Sequence, residues 1–348
     1  MKACQHCGIT HPGEPTECPR TGADMSTPGP CGGRIDRYAV ERLLGVGAFG
    51  AVYRARHVRT DAEVALKVLK RELMTDTHLL DRFMREARTA AAVGDEHTVR
   101  VLDAEITPDG QAFIAMELLD GCDLKDLSTR SKLHPSRLID LMCQVLTGLQ
   151  AAHDKGVVHR DMKPANIFVV RKADDEGREY EVAKVLDFGV SKMHEAAPKA
   201  LTMAGTTLGT PGYMAFEQFF DARKVDARTD VYAVAVILYE LLSGKKPFDA
   251  DTLPELINKV RIGDCPPLRT TAPLLPVPLC AVVDKGLAKD RDRRWQSARE
   301  FAQALERTLD FTGDPPPLPP LNNLRQTSQE TPAVDPEVSI NTLVRPKG

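Results

Sequence analysis

Apolar positions recur along the chain with two periods. Alternation and short apolar runs predict strands at 38–44, 51–56, 64–69, 99–102 and 112–119, with Pro108-Asp109-Gly110 turning the chain between the last two. The helical period marks 79–93 and dominates after 136. Between 136 and 155 it places Leu138, Leu141, Met142, Val145, Leu146 and Leu149 on one face. Residues 229–242 are apolar nearly all round, yet too short and too acid-flanked to span a membrane, which predicts a buried core helix. Further helices are predicted at about 252–262, 277–288 and 297–309. Two short strands, 168–170 and 182–186, are joined by a polar excursion over 171–181.

Both ends fall outside this pattern. Residues 1–33 are rich in Cys, Pro, Gly and Thr and hold almost no large apolar side chains, so they cannot build a core alone. Beyond 310, Asp314-Pro315-Pro316-Pro317-Leu318-Pro319-Pro320 reads as a polyproline-like linker, and the polar remainder to 348 reads as disordered. The tail and the N-terminal segment are both candidate docking segments for partners.

Composition narrows the class. The chain has 348 residues, 42% hydrophobic and 27% charged, with a net charge of −3, values ordinary for a globular protein and weak ground for a nucleic-acid or membrane-surface partner. No run approaches the ~20 apolar residues of a membrane span. The first residues lack the apolar core of a secretory signal, so the expected location is cytoplasmic. Four of the eight cysteines, Cys122, Cys143, Cys265 and Cys280, are scattered and read as reduced thiols. The other four crowd the N-terminus. Cys4-Gln5-His6-Cys7-Gly8 has the spacing of a metal-binding knuckle, and Cys18-Pro19-Arg20-Thr21-Gly22 resembles half of a second, with Thr21 where a cysteine would stand. Cys31 is the candidate fourth ligand, with His6 and His11 as substitutes. Zinc would replace the missing core of a zinc-ribbon-like module at 1–33; the alternative is a flexible leader without metal. No basic-aromatic patch accompanies it, which argues against nucleic acid.

Chemistry-bearing residues punctuate 36–310. Gly45-Val46-Gly47-Ala48-Phe49-Gly50 permits a tight turn close to phosphates, and the strand that follows it, where a dinucleotide motif needs a helix, disfavours a Rossmann site. Lys67 interrupts the apolar run Val64-Ala65-Leu66-Lys67-Val68, and Glu86 lies on the helix at 79–93. Val158-His159-Arg160-Asp161-Met162-Lys163-Pro164-Ala165-Asn166 gathers a carboxylate, two cations and an amide in one short loop, and Asp187-Phe188-Gly189 follows a strand.

These motifs, in this order, resemble those of Ser/Thr protein kinases, especially the eukaryotic-like kinases of bacteria, across about 36–310. The resemblance implies an α+β, bilobal kinase fold, with a small β-rich lobe and a large helical lobe, preceded by the Cys-rich module. It implies ATP and Mg (or Mn) as cofactors and protein Ser/Thr hydroxyls as acceptors. Under it, backbone N–H groups around Gly45, Gly47 and Gly50 cover the phosphates, and Lys67, held by Glu86, binds the α- and β-phosphates. Leu44, Val46, Val52, Ala65, Met116 (the gatekeeper) and Phe168 line the nucleotide site. The backbone of Glu117 and Leu119 meets adenine, and Asp123 reaches the ribose or a basic substrate residue. Asp187 and Asn166 chelate the metal, Asp161 orients the acceptor hydroxyl, and Lys163 neutralises the moving phosphate with Thr210 bridging it to Asp161. Arg160 meets a phosphate on the activation segment, with Thr202, Thr206 and Thr207 as candidate acceptors in autophosphorylation. Asp230 is one of the motif positions, and Glu217 would pair a buried Arg294. Phe216 stands where proline is usual and Ala235 where glycine is usual, which keeps a pseudokinase scaffold as the alternative.

Overall fold

The computed structural model describes residues 3–11, 16–22, 25, 29–47, 49–188, 211–220, 225–262, 265–314 and 316–318. The chain divides into two compact units.

The first comprises Met1–Met74 and Glu105–Leu118. Its strands are β1 (Arg34–Ile35), β2 (Tyr38–Val46), β3 (Gly50–His57), β4 (Glu63–Leu69), β6 (Ala112–Glu117) and the end of β5 (Val101–Ile106), in the sheet order β1-β2-β3-β4-β6-β5. Alternation assigns the two faces. Leu43 pairs Tyr53, Tyr53 pairs Leu66 and Leu66 pairs Ala115, so one face is apolar. Cys4, Cys7, Cys18 and Cys31 join Tyr38, Val40, Leu43, Tyr53, Leu66 and Phe113 in one buried cluster on that face. The Cys-rich segment, unable to form a core alone, thus completes the core of the sheet. Strand β2 is bulged between Val40 and Arg42 and again between Leu43 and Gly45.

The second unit, Thr75–Ala104 with Leu119–Pro319, is mainly helical. It holds α1 (Thr77–Val93), α2 (Leu124–Arg130), α3 (Pro135–His153), α4 (Phe216–Phe220), α5 (Ala227–Ser243), α6 (Leu253–Ile262), α7 (Leu268–Thr271), α8 (Val277–Gly286) and α9 (Ala298–Glu306). Asp76 caps α1 by accepting the N–H of His78 at 2.9 Å, and left-handed Gly94 (φ 59°) ends it. Helix α5 is buried almost throughout, as its sequence predicts, and packs against α3, α8 and α9. No helix among the described residues is long and apolar enough to cross a membrane.

Two expectations change. The strand predicted at 99–102 forms instead at Val101–Ile106. The polar excursion at 171–181 is mostly strand: β8 (Ile167–Ala173) and β9 (Glu179–Val185) pair antiparallel, with Arg171 opposite Glu181, and β7 (Gly121–Asp123) joins as third strand. Charge pairing explains it. Arg137 donates to both carboxylate oxygens of Glu181, at 2.8 and 2.7 Å, and Arg171 Nη2 lies 3.5 Å from the same carboxylate. Buried ion pairs hold polar residues in a ladder where periodicity shows no apolar face.

Candidate active site

The second face of the first unit's sheet collects the nucleotide candidates. Gly45 pairs Val52, Val52 pairs Lys67 and Lys67 pairs Ile114, while Ala65 pairs Met116. Directly paired residues share a face, so Gly45, Val52, Ala65, Lys67 and Met116 lie together, opposite the cysteine face. Leu44 and Val46 lie on β2 and Glu117 ends β6. At Gly50 a Cβ would come within 2.3 Å of the Val68 carbonyl oxygen, so only glycine fits beside β4. Gly47 closes the turn by donating its N–H to the Gly50 carbonyl at 2.7 Å.

The loop 158–166 lies wholly in the second unit and is held from beneath by one carboxylate. Asp230, on the first turn of α5, accepts the backbone N–H of His159 and that of Arg160, both at 2.8 Å. His153 Nε2 lies 2.7 Å from the same carboxylate. Burial alone would raise the Asp230 carboxyl. The hydrogen bond and charge of His153, with the loop N–H groups, outweigh burial and hold it below the usual carboxylate range. This anchoring lets Arg160 take a left-handed φ of 67°. Above it, Lys163 donates to Asp161 Oδ2 at 2.9 Å, and the Asn166 amide donates to the Asp161 carbonyl at 2.8 Å and to Oδ2 at 3.3 Å. Three of the predicted residues therefore converge within one loop.

The Asp187 strand end is tied to this loop. Leu186 donates its N–H to the Asn166 carbonyl at 2.8 Å, and its own carbonyl lies 2.8 Å from His159 Nε2. Phe188 is fully buried with its ring centroid 5.2 Å from that of His159, and Asp187 between them has φ 47°. With the Asn166 amide nitrogen committed to Asp161, its Oδ1 is the atom left to offer a cation. Together with the Asp187 carboxylate this is an all-oxygen donor set, which suits Mg²⁺ or Mn²⁺.

Of the remaining candidates, Asp123 pairs Phe168 across β7 and β8 and caps α2 by accepting the Asp126 N–H at 2.8 Å. Burial raises its carboxyl despite that bond. Leu119 precedes β7 in the same unit. Glu86 is buried on α1 in the second unit, whereas Lys67 belongs to the first. Arg160 has its Nε buried without a hydrogen-bond partner among the described residues. Gly189, Thr202, Thr206, Thr207 and Thr210 lie outside the described residues. The Glu217–Arg294 pair forms as expected: the two terminal guanidinium nitrogens, Nη1 and Nη2, donate to the carboxylate at 2.7 and 3.1 Å, buried beside Thr229. His153 and Gln218, whose amide donates to the Arg160 carbonyl at 2.8 Å, escape sequence reading, since nothing in their spacing sets them apart.

In the first unit the Cys-rich segment brings Cys4, Cys7, His11 and Cys18 together, with their ligand atoms all within 4.8 Å of one another. Cys31, the expected fourth ligand, is buried but is not one of this group; its backbone N–H is tied to the Gln5 carbonyl, on the strand side of the first knuckle's turn rather than within either knuckle's sequence. His11, one of the two expected substitutes, takes that corner.

The protein kinase domain family matches residues 38–304. The chain is 38% identical over 276 residues to the serine/threonine-protein kinase pkn3 of Myxococcus xanthus, covering 78% of this chain and 49% of that protein. It is 35% identical over 302 residues to PknH of Mycobacterium bovis, covering 86% and 48% respectively. The crystal structure of the Mycobacterium tuberculosis PknI kinase domain superposes with a TM-score of 0.61 at 29% identity, covering 79% of this chain and 98% of that one. The chain thus spans about half the length of these curated relatives. The order of its motifs, the loop anchored on Asp230 and this match over 38–304 agree: the chain belongs to the protein kinase family.

Proposed function

We propose that this chain transfers the γ-phosphate of ATP to Ser and Thr hydroxyls of protein substrates. The observation that carries the reading is the loop in which Lys163 and Asn166 both donate to Asp161 while Asp230 fixes the backbone beneath. A carboxylate held this way can orient a hydroxyl and accept its proton, and the lysine beside it can neutralise charge on the moving phosphate. Its curated relatives carry the name serine/threonine-protein kinase, which supports the same acceptor class.

The remaining residues take the following roles. Lys67 holds the α- and β-phosphates with Glu86 as its partner, and Gly45, Gly47 and Gly50 bring N–H groups over them. Leu44, Val46, Val52, Ala65, Met116 and Phe168 enclose the base, Glu117 and Leu119 bond to it through their backbones, and Asp123 reaches the ribose. Asn166 and Asp187 hold Mg²⁺ or Mn²⁺, which when bound neutralises phosphate charge. Thr210 bridges Asp161 and Lys163. Arg160 binds a phosphate on Thr202, Thr206 or Thr207, so autophosphorylation activates the enzyme. The kinase domain occupies 36–310, flanked by a zinc-binding module at 1–33 and a Pro-rich tail at 311–348 open to docking partners. The setting is cytoplasmic. Every group assigned to ATP or metal is present, which favours catalysis over a pseudokinase scaffold. Lys67→Ala tests the assignment: phosphorylation of a generic protein substrate falls by about 10²-fold or more, and unchanged turnover would remove Lys67 from the site.

A further inference from the structure

Cys4-Gln5-His6-Cys7-Gly8 and Cys18-Pro19-Arg20-Thr21-Gly22 fold as two copies of one turn. In each, the closing glycine donates its N–H to the leading cysteine's carbonyl, at 2.7 Å for Gly8 and 2.8 Å for Gly22. Both glycines are left-handed, with φ of 79° and 68°. The copies differ at the fourth place. Cys7 offers a second thiol there, whereas Thr21 hydrogen-bonds to Cys18 instead.

His11, from the segment between the turns, occupies the corner that Thr21 leaves. Its Nε2 lies 3.2 Å from Cys7 Sγ and 3.5 Å from Cys18 Sγ. The Cys4 sulfur completes the group and accepts the His6 N–H at 3.3 Å. In a tetrahedral site with metal–sulfur bonds of about 2.3 Å, neighbouring donors stand roughly 3.8 Å apart. Three buried thiols and an imidazole converge within 4.8 Å of one another, a range that brackets this spacing, with no disulfide among them. Cys31 contributes its backbone N–H to the Gln5 carbonyl at 2.8 Å, and it stands outside the group whose ligand atoms all lie within 4.8 Å of one another.

The first turn also rests on β2. Leu43 donates its N–H to the Cys7 carbonyl at 3.0 Å, between the two bulges of that strand. A Cβ on Gly8 would come within 2.6 Å of the Glu41 carbonyl and 2.8 Å of the Arg42 Cα, so the turn lies directly on the strand backbone. Two residues beyond Leu43 the strand reaches Gly45.

We propose that Cys4, Cys7, His11 and Cys18 ligate one divalent cation of the zinc class, with Cys31 outside the ligand set, and that this ion pins the first turn to β2 just ahead of Gly45. The proposal rests on the zinc reading of the N-terminal module and goes further by fixing its ligands and its mechanical target. An ion bridging the two turns fixes the Cys7 carbonyl and with it the Leu43 hydrogen bond.

The test uses the full chain and zinc itself. Wild type and Cys31→Ala each retain about one zinc per chain by elemental analysis, while His11→Ala loses at least about tenfold in zinc affinity against a chelator and His11→Cys retains it. Loss of zinc in Cys31→Ala with retention in His11→Ala overturns the ligand set but leaves the zinc reading standing. Folded wild type that takes up no zinc overturns both. Hydrogen exchange checks the pin: stripping the ion speeds exchange of the Leu43 amide about tenfold or more while Ala183 in β9 is unaffected. Unchanged Leu43 exchange would refute the mechanical role. None of these readouts involves phosphoryl transfer.

Discussion

Two backbone N–H groups, those of His159 and Arg160, end on one buried carboxylate, and the left-handed turn that aims Asp161 depends on them. Removing that acceptor leaves both donors buried and unpaired, so Asp230→Ala costs about 2–5 kcal/mol in urea unfolding. The same group predicts a pH dependence. Its carboxyl is depressed in the folded state, so its contribution is present above the unfolded value of about 4 and lost as pH falls through the folded one. Denaturation measured across the acid range should show wild-type stability falling below about pH 4 and Asp230→Asn losing part of that slope. The convergence of Asp161, Lys163 and Asn166 in one loop was legible from motif order. The function of Asp230 as an anchor was not, because its 70-residue separation from Arg160 is closed only by the fold.

Helix α5 shows how a departure from the family pattern is absorbed. Ala235 adds a methyl where glycine is usual, and its neighbour on α8 is Gly286, where a Cβ would come within 2.7 Å of the Ala235 Cβ. Gly286 leaves the space that the Ala235 methyl fills. Gly286→Ala therefore overpacks the α5–α8 contact and destabilises by about 1–3 kcal/mol, and adding Ala235→Gly recovers most of it. A double-mutant cycle that shows no coupling would contradict this. At the other departure, Phe216 packs against Phe220 with centroids 4.6 Å apart and the ring planes tilted by 30°, while Glu217 keeps its buried pair with Arg294. The long helices were legible because their apolar stripes are regular. The β8–β9 extension was hidden because its ladder is held by Arg137, Arg171 and Glu181, which carry no apolar period.

At the scale of the molecule, the two faces of the first unit's sheet do different work. One takes the Cys-rich segment into its core, and the other presents Gly45, Val52, Ala65, Lys67 and Met116. The register of β2, β3, β4 and β6 sets this division. The role of residues 1–33 as a cover for the apolar face did not follow from composition, which showed only that they could not fold alone. The central claim, phosphoryl transfer through Asp161, is tested most directly by incubating the full chain with Mg²⁺ and ATP labelled at the γ-phosphate and identifying the labelled amino acid. Label on Ser or Thr of the chain or of a generic protein substrate, reduced about 10²–10⁴-fold by Asp161→Asn, is the predicted result. An unlabelled wild type, or equal labelling in the variant, would contradict it.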